Sequence, residues 1–233
     1  AFIHDFSDYN GAVQTENSAI AAFAEALAGT NKPFIATSGA AFLGDTKSNL
    51  ADESYPSEHN SPFLARAGSE QDTLKLSQKG VRSVVLRLPL FVYGRGGSSF
   101  VPFMIEQAKQ NGAANYIGAG AEKVSAVHVE DAADLYLLTL ETGTAKGLYN
   151  VAAEIVSLKS LNESIAQLLN MQAKSVSIEK AKEQFGAMFG FLSINNCLSA
   201  EKAQSELGWR VKSGKNILED IEYGSYRKYK EEK

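Results

Sequence analysis

Cysteine is almost missing from this chain. Cys197 stands alone among 233 residues, so no internal disulfide can form, and a reducing compartment, the cytoplasm, is the expected location. The three histidines, His4, His59 and His128, lie far apart in sequence, and with one cysteine they offer no structural zinc spacing. No run approaches the 18 apolar residues that a membrane helix needs. Basic charge is not in excess: 23 Lys and Arg against 27 Asp and Glu give a formal charge of −4. No basic stripe offers phosphates a partner, so neither nucleic acid nor a membrane is expected to bind. Internal repeats and low-complexity linkers are lacking too. The opening Ala1-Phe2-Ile3-His4-Asp5 has no charged segment followed by an apolar one, and does not read as a signal peptide.

What is present is ordinary globular composition, 44% apolar and 21% charged. Helix and strand patterns alternate. Residues 12–28 carry Val13, Ile20, Phe23, Ala24 and Leu27 at helical spacings, with Gly29 as a C-cap. The apolar run 33–38 reads as a buried strand, and a turn-rich loop over 44–62 follows. A helix over 64–79, closed by Gly80, feeds a β-branched strand at 81–88 that Pro89 stops. Further on come a helix at 100–111, strands at 115–117 and 124–129, a helix at 130–141 and a strand at 148–151. A helix at 158–169, a strand at 175–178 and further helices complete the chain. Such alternation predicts an α/β fold with a mainly parallel sheet, its central strands 33–38 and 81–88 covered by helices on both faces.

Four stretches, in this order, carry a resemblance. They are Phe34-Ile-Ala-Thr-Ser-Gly39 with Phe42-Leu-Gly44-Asp45, then Val84 to Gly94 with its Arg87, Pro89 and Tyr93-Gly94. Ala126-Val-His128-Val-Glu-Asp131-Ala follows, and last Ser199 to Leu207-Gly208-Trp209. Together they resemble the atypical and extended short-chain dehydrogenase/reductase superfamily, the NAD-dependent epimerase/dehydratase-like branch. His4-Asp5-Phe6 and Arg66-Ala-Gly-Ser-Glu70 fit an atypical branch of it. The resemblance implies a Rossmann-like, doubly wound parallel sheet over residues 1–150 and a smaller α/β substrate lobe, interleaved with the sheet, over 151–233. It also implies a homodimer formed through the helices at 12–28 and 64–79.

Members of that superfamily open with a strand and a G-x-x-G-x-x-G turn, whose amides and helix dipole hold the cofactor pyrophosphate. No such turn follows a strand here. Against that pattern Ala1-Phe2 falls just past the fourth strand. The chain reads as the C-terminal three-quarters of a member, lacking roughly 60 to 75 residues at about 30 per βαβ unit. Alone, it is expected to bind a dinucleotide weakly and to expose a sheet edge.

The implied cofactor is NAD or NADP, with a slight preference for NADP, and the implied partner is a small carbonyl or hydroxyl compound. The family layout places Ala1, Phe2, His4, Thr37, Ser38, Leu88, Pro89, Phe91 and Val92 beside the cofactor, the last few through their backbone. It places Asp5, Gly39, Arg66 and Arg87 toward the substrate. The family's Tyr–Lys pair, four apart on a helix, exchanges a proton with the substrate oxygen. Here Phe63 and Ala67 stand in those positions, and neither carries a proton. Tyr55-Pro-Ser-Glu-His59 lies in the right loop, but Pro56 argues against a helix. Tyr226-Arg-Lys-Tyr-Lys230 has the spacing in what reads as a solvated tail helix. Ser38 is the surviving catalytic candidate, although strict alignment puts Gly39 at the family's serine. Glu16 or Asn17 falls where the family has a water-holding Asn. Arg66 is read either as an anion-binding group or as the partner of Glu70 one helical turn on. Three functional readings follow: an NAD(P)-dependent oxidoreductase or epimerase/dehydratase with a degenerate Tyr–Lys site, a non-catalytic NAD(P)-binding sensor, and a ligand-free scaffold.

Overall fold

The computed structural model describes residue 2, residues 8–61 and residues 63–230. Three strands make the first sheet: β1 (Pro33–Gly39), β2 (Arg82–Leu88) and, later in the chain, β6 (Gly147–Asn150). Their order is β1-β2-β6 and every pairing is parallel, with Pro33 opposite Arg82 and Gly39 opposite Leu88. Both expected strands are therefore present and parallel, β2 in the middle and β1 at one end of the three. Two helices cover one face, α1 (Tyr9–Leu27) and α2 (Ala65–Lys75). Ile20 and Ala24 of α1 pack there with Phe34, Leu76 and Val81. The opposite face is covered by α4 (Val129–Glu141) and α7 (Glu201–Leu207), whose Ala132, Leu135 and Ala203 meet Ile35, Val84, Leu86 and Tyr149. Alternation along β2 sorts this directly: Val84 and Leu86 face α4, while Ser83 and Arg87 bond to residues of α2.

Local chemistry explains the boundaries. The Asp8 carboxylate accepts from the Gly11 amide at 3.0 Å and starts α1. Ala28 ends that helix in an extended conformation, so Gly29 sits one residue beyond the cap rather than at it. The expected helix over 64–79 tightens into a 3-10 turn at Leu76–Lys79 before Gly80 reverses the chain in the left-handed region.

The remaining strands build the lobe. β3 (Phe91–Tyr93), β5 (Lys123–His128) and β7 (Glu154–Ser157) form a second sheet, parallel between β3 and β5 and antiparallel between β5 and β7. β4 (Ala114–Ile117) and β8 (Ala173–Val176) pair in parallel. Around them lie α3 (Phe100–Asn111), α5 (Leu158–Leu169), α6 (Ile178–Phe185) and α8 (Ile217–Tyr223). Leu90, Phe91, Tyr93, Val101 and Ile105 share a core with Leu161, Ile165 and Ile221, so the segment from 90 to 128 packs with the later helices. β6 then returns to the first sheet. Two short strands, β3 and β7, escaped the sequence reading because three or four residues show too little periodicity.

Two further motifs prove to be one structural joint. Asp131 accepts the amides of Lys212 and Ser213 at 2.7 and 3.1 Å, and its carbonyl takes the indole N–H of buried Trp209 at 3.0 Å. His128 Nδ1 accepts from the Glu130 amide and caps α4.

Candidate functional site

In open α/β sheets, ligands bind outside the carboxyl ends of the strands. Here those ends of β1 and β2 lie side by side, Gly39 against Leu88. A cleft open to solvent runs between β1, β2 and the two helices α1 and α2. Glu16, Thr37, Ser38, Arg66 and Ser69 line it.

Ser38 is buried, and its hydroxyl has no hydrogen-bond partner among the described residues. Leaving a buried hydroxyl unpaired costs about 1–3 kcal/mol. Arg66 reaches across the cleft from α2. Its Nε and Nη2 donate to the Glu16 carboxylate at 3.3 and 3.2 Å, and Nη2 also donates to the Thr37 carbonyl at 3.0 Å. Its guanidinium lies 4.0 Å from the centre of the Phe2 ring. A Cβ on Gly39 would meet Arg66 Nη1 at 3.6 Å, an ordinary van der Waals contact.

Glu16, Thr37, Ser38, Gly39, Arg66 and Phe2 are thus brought together. The expected Arg66–Glu70 pairing gives way to Arg66–Glu16, because Glu70 points into the sheet. There it takes Arg87 Nη2 at 2.6 Å and Nε at 3.2 Å. Arg87 also donates to Asn150 Oδ1 and lies at 3% exposure, so it forms a buried ion pair with Glu70. Asn17 is exposed on α1. Its Oδ1 accepts the Ser69 hydroxyl at 2.6 Å and ties α1 to α2. The Thr37 side chain turns to the other face and bonds Tyr136 of α4 at 2.5 Å, leaving its carbonyl to Arg66. Beside Gly39, Leu88 and Val92 are half-buried and Pro89 is buried. Phe91 is fully buried against Phe100, which leaves its backbone for any ligand contact. Ala1, His4 and Asp5 lie outside the described residues.

The position of the missing acid–base pair is apolar. Phe63 stacks on Phe191 at 4.5 Å, and Ala67 packs with the core beneath it. Residues 55–59 form no helix, as Pro56 implied. The tail was misread as solvated. Tyr226 is fully buried in a 3-10 segment, Ser225–Lys230, accepting from the Gly94 amide and donating to the Gly97 carbonyl. One aromatic at this site was not singled out in the sequence. Tyr9, at the start of α1, meets Phe63 edge-on at 5.5 Å and Phe2 at 5.6 Å. Burial raises its phenol pKa, while Arg66 pulls it down and Glu16 pushes it up. No spacing signal could have found it, because α1 and α2 meet only in the folded chain.

Among the described residues no helix is long and apolar enough to cross a membrane, and no group of His, Cys, Asp and Glu could hold a metal. Residues 8–152 match the family described as "NAD dependent epimerase/dehydratase family". "Uncharacterized protein C2A9.02" of Schizosaccharomyces pombe is 39% identical over 227 residues, covering 97% of this chain and 76% of the relative. "Uncharacterized protein YLL056C" of Saccharomyces cerevisiae is 34% identical, covering 94% and 73%. Among solved structures, the dTDP-glucose 4,6-dehydratase DesIV of Streptomyces venezuelae, with NAD and TYD bound, superposes with a TM-score of 0.73 at 20% identity. That likeness covers 93% of this chain but only 64% of the DesIV chain, and it concerns the fold. A parallel Rossmann-like sheet, an interleaved lobe and a family match over residues 8–152 agree, and this chain belongs to the NAD-dependent epimerase/dehydratase family.

Proposed function

We propose that the protein is an NAD(P)-dependent oxidoreductase of the epimerase/dehydratase type, acting on a small carbonyl or hydroxyl compound in the cleft between α1, α2 and the β1–β2 edge. The observation that carries this reading is the buried Ser38 hydroxyl, without a hydrogen-bond partner among the described residues, at the carboxyl end of β1 next to Gly39. DesIV, of like fold, holds NAD. The residues present fit the nicotinamide end of such a cofactor: Thr37 and Ser38 on one strand end, the backbone from Leu88 to Val92 on the next. When bound, the cofactor supplies the hydride acceptor or donor; NADP is the preferred form.

The chain's own residues do the rest. Ser38 Oγ donates a hydrogen bond to the substrate oxygen. Arg66, held by Glu16 and the Thr37 carbonyl, presents a fixed guanidinium to negative charge on that oxygen or on an anionic substituent. Glu16 keeps Arg66 aimed at the cleft. Titration of NADPH and NADH into the chain, followed by turnover with a panel of small ketones and aldehydes, tests the reading. Binding and turnover that both fall on Ser38→Ala support it; turnover unchanged by Ser38→Ala overturns the site.

A second reading, a cofactor-binding sensor without turnover, is favoured by Phe63 and Ala67 in the acid–base positions. Cofactor affinity with no turnover of any carbonyl would select it. A cytoplasmic location and a homodimer through α1 and α2 belong to the same proposal; light scattering at micromolar concentration checks the dimer.

A further inference from the structure

We propose that Glu16 sets the charge of the substrate. It fills the carboxylate-binding edge of Arg66, so the cleft takes an uncharged carbonyl compound and rejects one that carries a carboxylate beside the carbonyl. This rests on the reading of the cleft as an oxidoreductase site and narrows it, because that reading leaves Arg66 open to a reacting oxygen or to an anionic substituent.

Arginine binds a carboxylate through two parallel N–H groups, one to each oxygen. On Arg66 that edge is filled from within the chain. Nε donates to Glu16 Oε2 at 3.3 Å and Nη2 donates to Glu16 Oε1 at 3.2 Å. Nη2 also donates to the Thr37 carbonyl at 3.0 Å. With both Nη2 hydrogens engaged, the Nη1–Nη2 edge cannot grip two oxygens either. Among the described residues only Nη1 is left without a hydrogen bond. It lies at the end of β1, where a Cβ on Gly39 would meet it at 3.6 Å. Ser38, one residue earlier, brings the unpartnered hydroxyl that lines the same cleft. One free nitrogen and one hydroxyl suit the lone pairs of a single carbonyl oxygen.

The balance of charge points the same way. Glu16, Arg66 and Glu70 are the charged side chains that line the cleft. Arg66 is neutralised by Glu16, and both Glu70 oxygens are taken by Arg87. The Glu16 and Arg66 side chains are each 14% exposed, so little water screens an added charge. A carboxylate entering here would face Glu16 and find no uncompensated cation among the described residues lining the cleft.

The test pairs acids with their esters, which differ chiefly in charge: pyruvate with methyl pyruvate and acetoacetate with methyl acetoacetate, each reduced with NADPH. The unaltered chain should favour the esters. Glu16→Gln keeps an oxygen for one Arg66 N–H, while the Thr37 carbonyl and the Phe2 ring, 4.0 Å from the guanidinium, still hold that side chain. It should raise the acid-to-ester ratio of kcat/KM about tenfold or more, the contribution of one hydrogen bond to a charged group. Intrinsic reactivity cancels when the ratio is compared between proteins. Adding Arg66→Met should abolish the gain, whereas a merely structural Glu16 would lower acid and ester together. A preference for acids in the unaltered chain, or a ratio unmoved by Glu16→Gln, overturns the proposal. A second measurement needs no turnover. Glu16→Ala empties the edge, so acetate, compared with chloride at equal ionic strength, should raise the melting temperature of Glu16→Ala and leave that of the unaltered chain in place. Acetate that stabilises neither, or both alike, also overturns it. If the unaltered chain reduces no carbonyl with NADPH bound, the oxidoreductase reading fails, and the acetate result alone decides whether Glu16 fills an anion site on Arg66.

Discussion

Arg87 and Glu70 illustrate how a residue picked out in the sequence can matter for stability. Their side chains are 4% and 1% exposed, and a 2.6 Å contact joins them under the β1–β2 edge. Removing one partner strands the other charge in the core, so Arg87→Met should cost about 3–5 kcal/mol in urea denaturation. Replacing both, with Arg87→Met and Glu70→Leu, should recover most of that loss. Glu154 gives a pH signature. Burial holds its carboxyl above the ordinary value of 4.5, against hydrogen bonds from Tyr93 and Ile217 that pull it down. The folded chain therefore binds this proton more tightly than the unfolded one. The stability it contributes is full below pH 4.5 and is lost as pH rises through the shifted value. Glu154→Gln keeps an oxygen for the Tyr93 hydroxyl and the Ile217 amide. Melting temperature should fall less steeply between pH 4.5 and neutrality in that variant.

At the scale of elements, the Gly94–Gly97 turn is held from outside by the chain's last described segment. Gly94 has φ 106°, and a Cβ there would run into the His128 ring, so only glycine fits between the turn and the cap of α4. Gly96 donates to Ser225 Oγ at 2.7 Å, and its carbonyl takes the Tyr229 hydroxyl at 3.0 Å. Tyr226 closes the arrangement with two bonds to the turn. Tyr226→Phe removes both while keeping the ring, and should cost about 1–3 kcal/mol through the unsatisfied amide and carbonyl. Hydrogen exchange at the Gly94 amide should quicken more than at β2 amides. Equal change everywhere would mean that the tail does not hold this turn locally.

Over the whole molecule, interleaving joins the sheet to the lobe. The stretch Asn195–Leu198 runs beside the Thr46–Ala51 loop, with Thr46 donating to Asn195 and Ala51 to Cys197. Asn196 stands at the centre. Its side chain donates to the carbonyls of Ala40 and Gly44, its amide donates to Lys123 and its carbonyl accepts from Ser125. Asn196→Ala should therefore lower stability by about 1–3 kcal/mol while the chain still melts in one step. Trp209, the only tryptophan, is buried against α4 and reports that side by fluorescence. Fluorescence and circular dichroism midpoints that separate in the variant would show the two parts unfolding independently.

Much of the fold was legible because long, strongly patterned segments override context. The runs at 33–38 and 81–88 are rich in apolar and β-branched residues, as expected of parallel strands with covered faces. The boundaries set by Pro89 and Gly80 and the four family stretches were readable for the same reason: each is a local backbone requirement. The return of β6 to the β1–β2 sheet after β3 and β5 was not legible, because no local signal records such a crossing. The site divides along the same line. Ser38 and Gly39 follow from a strand end, whereas the partners of Arg66 and Glu70 do not. On one helix the two sit a turn apart, yet in the fold each finds a better geometry across an interface, Arg66 with Glu16 and Glu70 with Arg87. Sequence determined the strands, their covering helices and the glycine at the end of β1. Tertiary packing alone decided which charges meet, since α1 and α2 touch only once both have docked on the same sheet face.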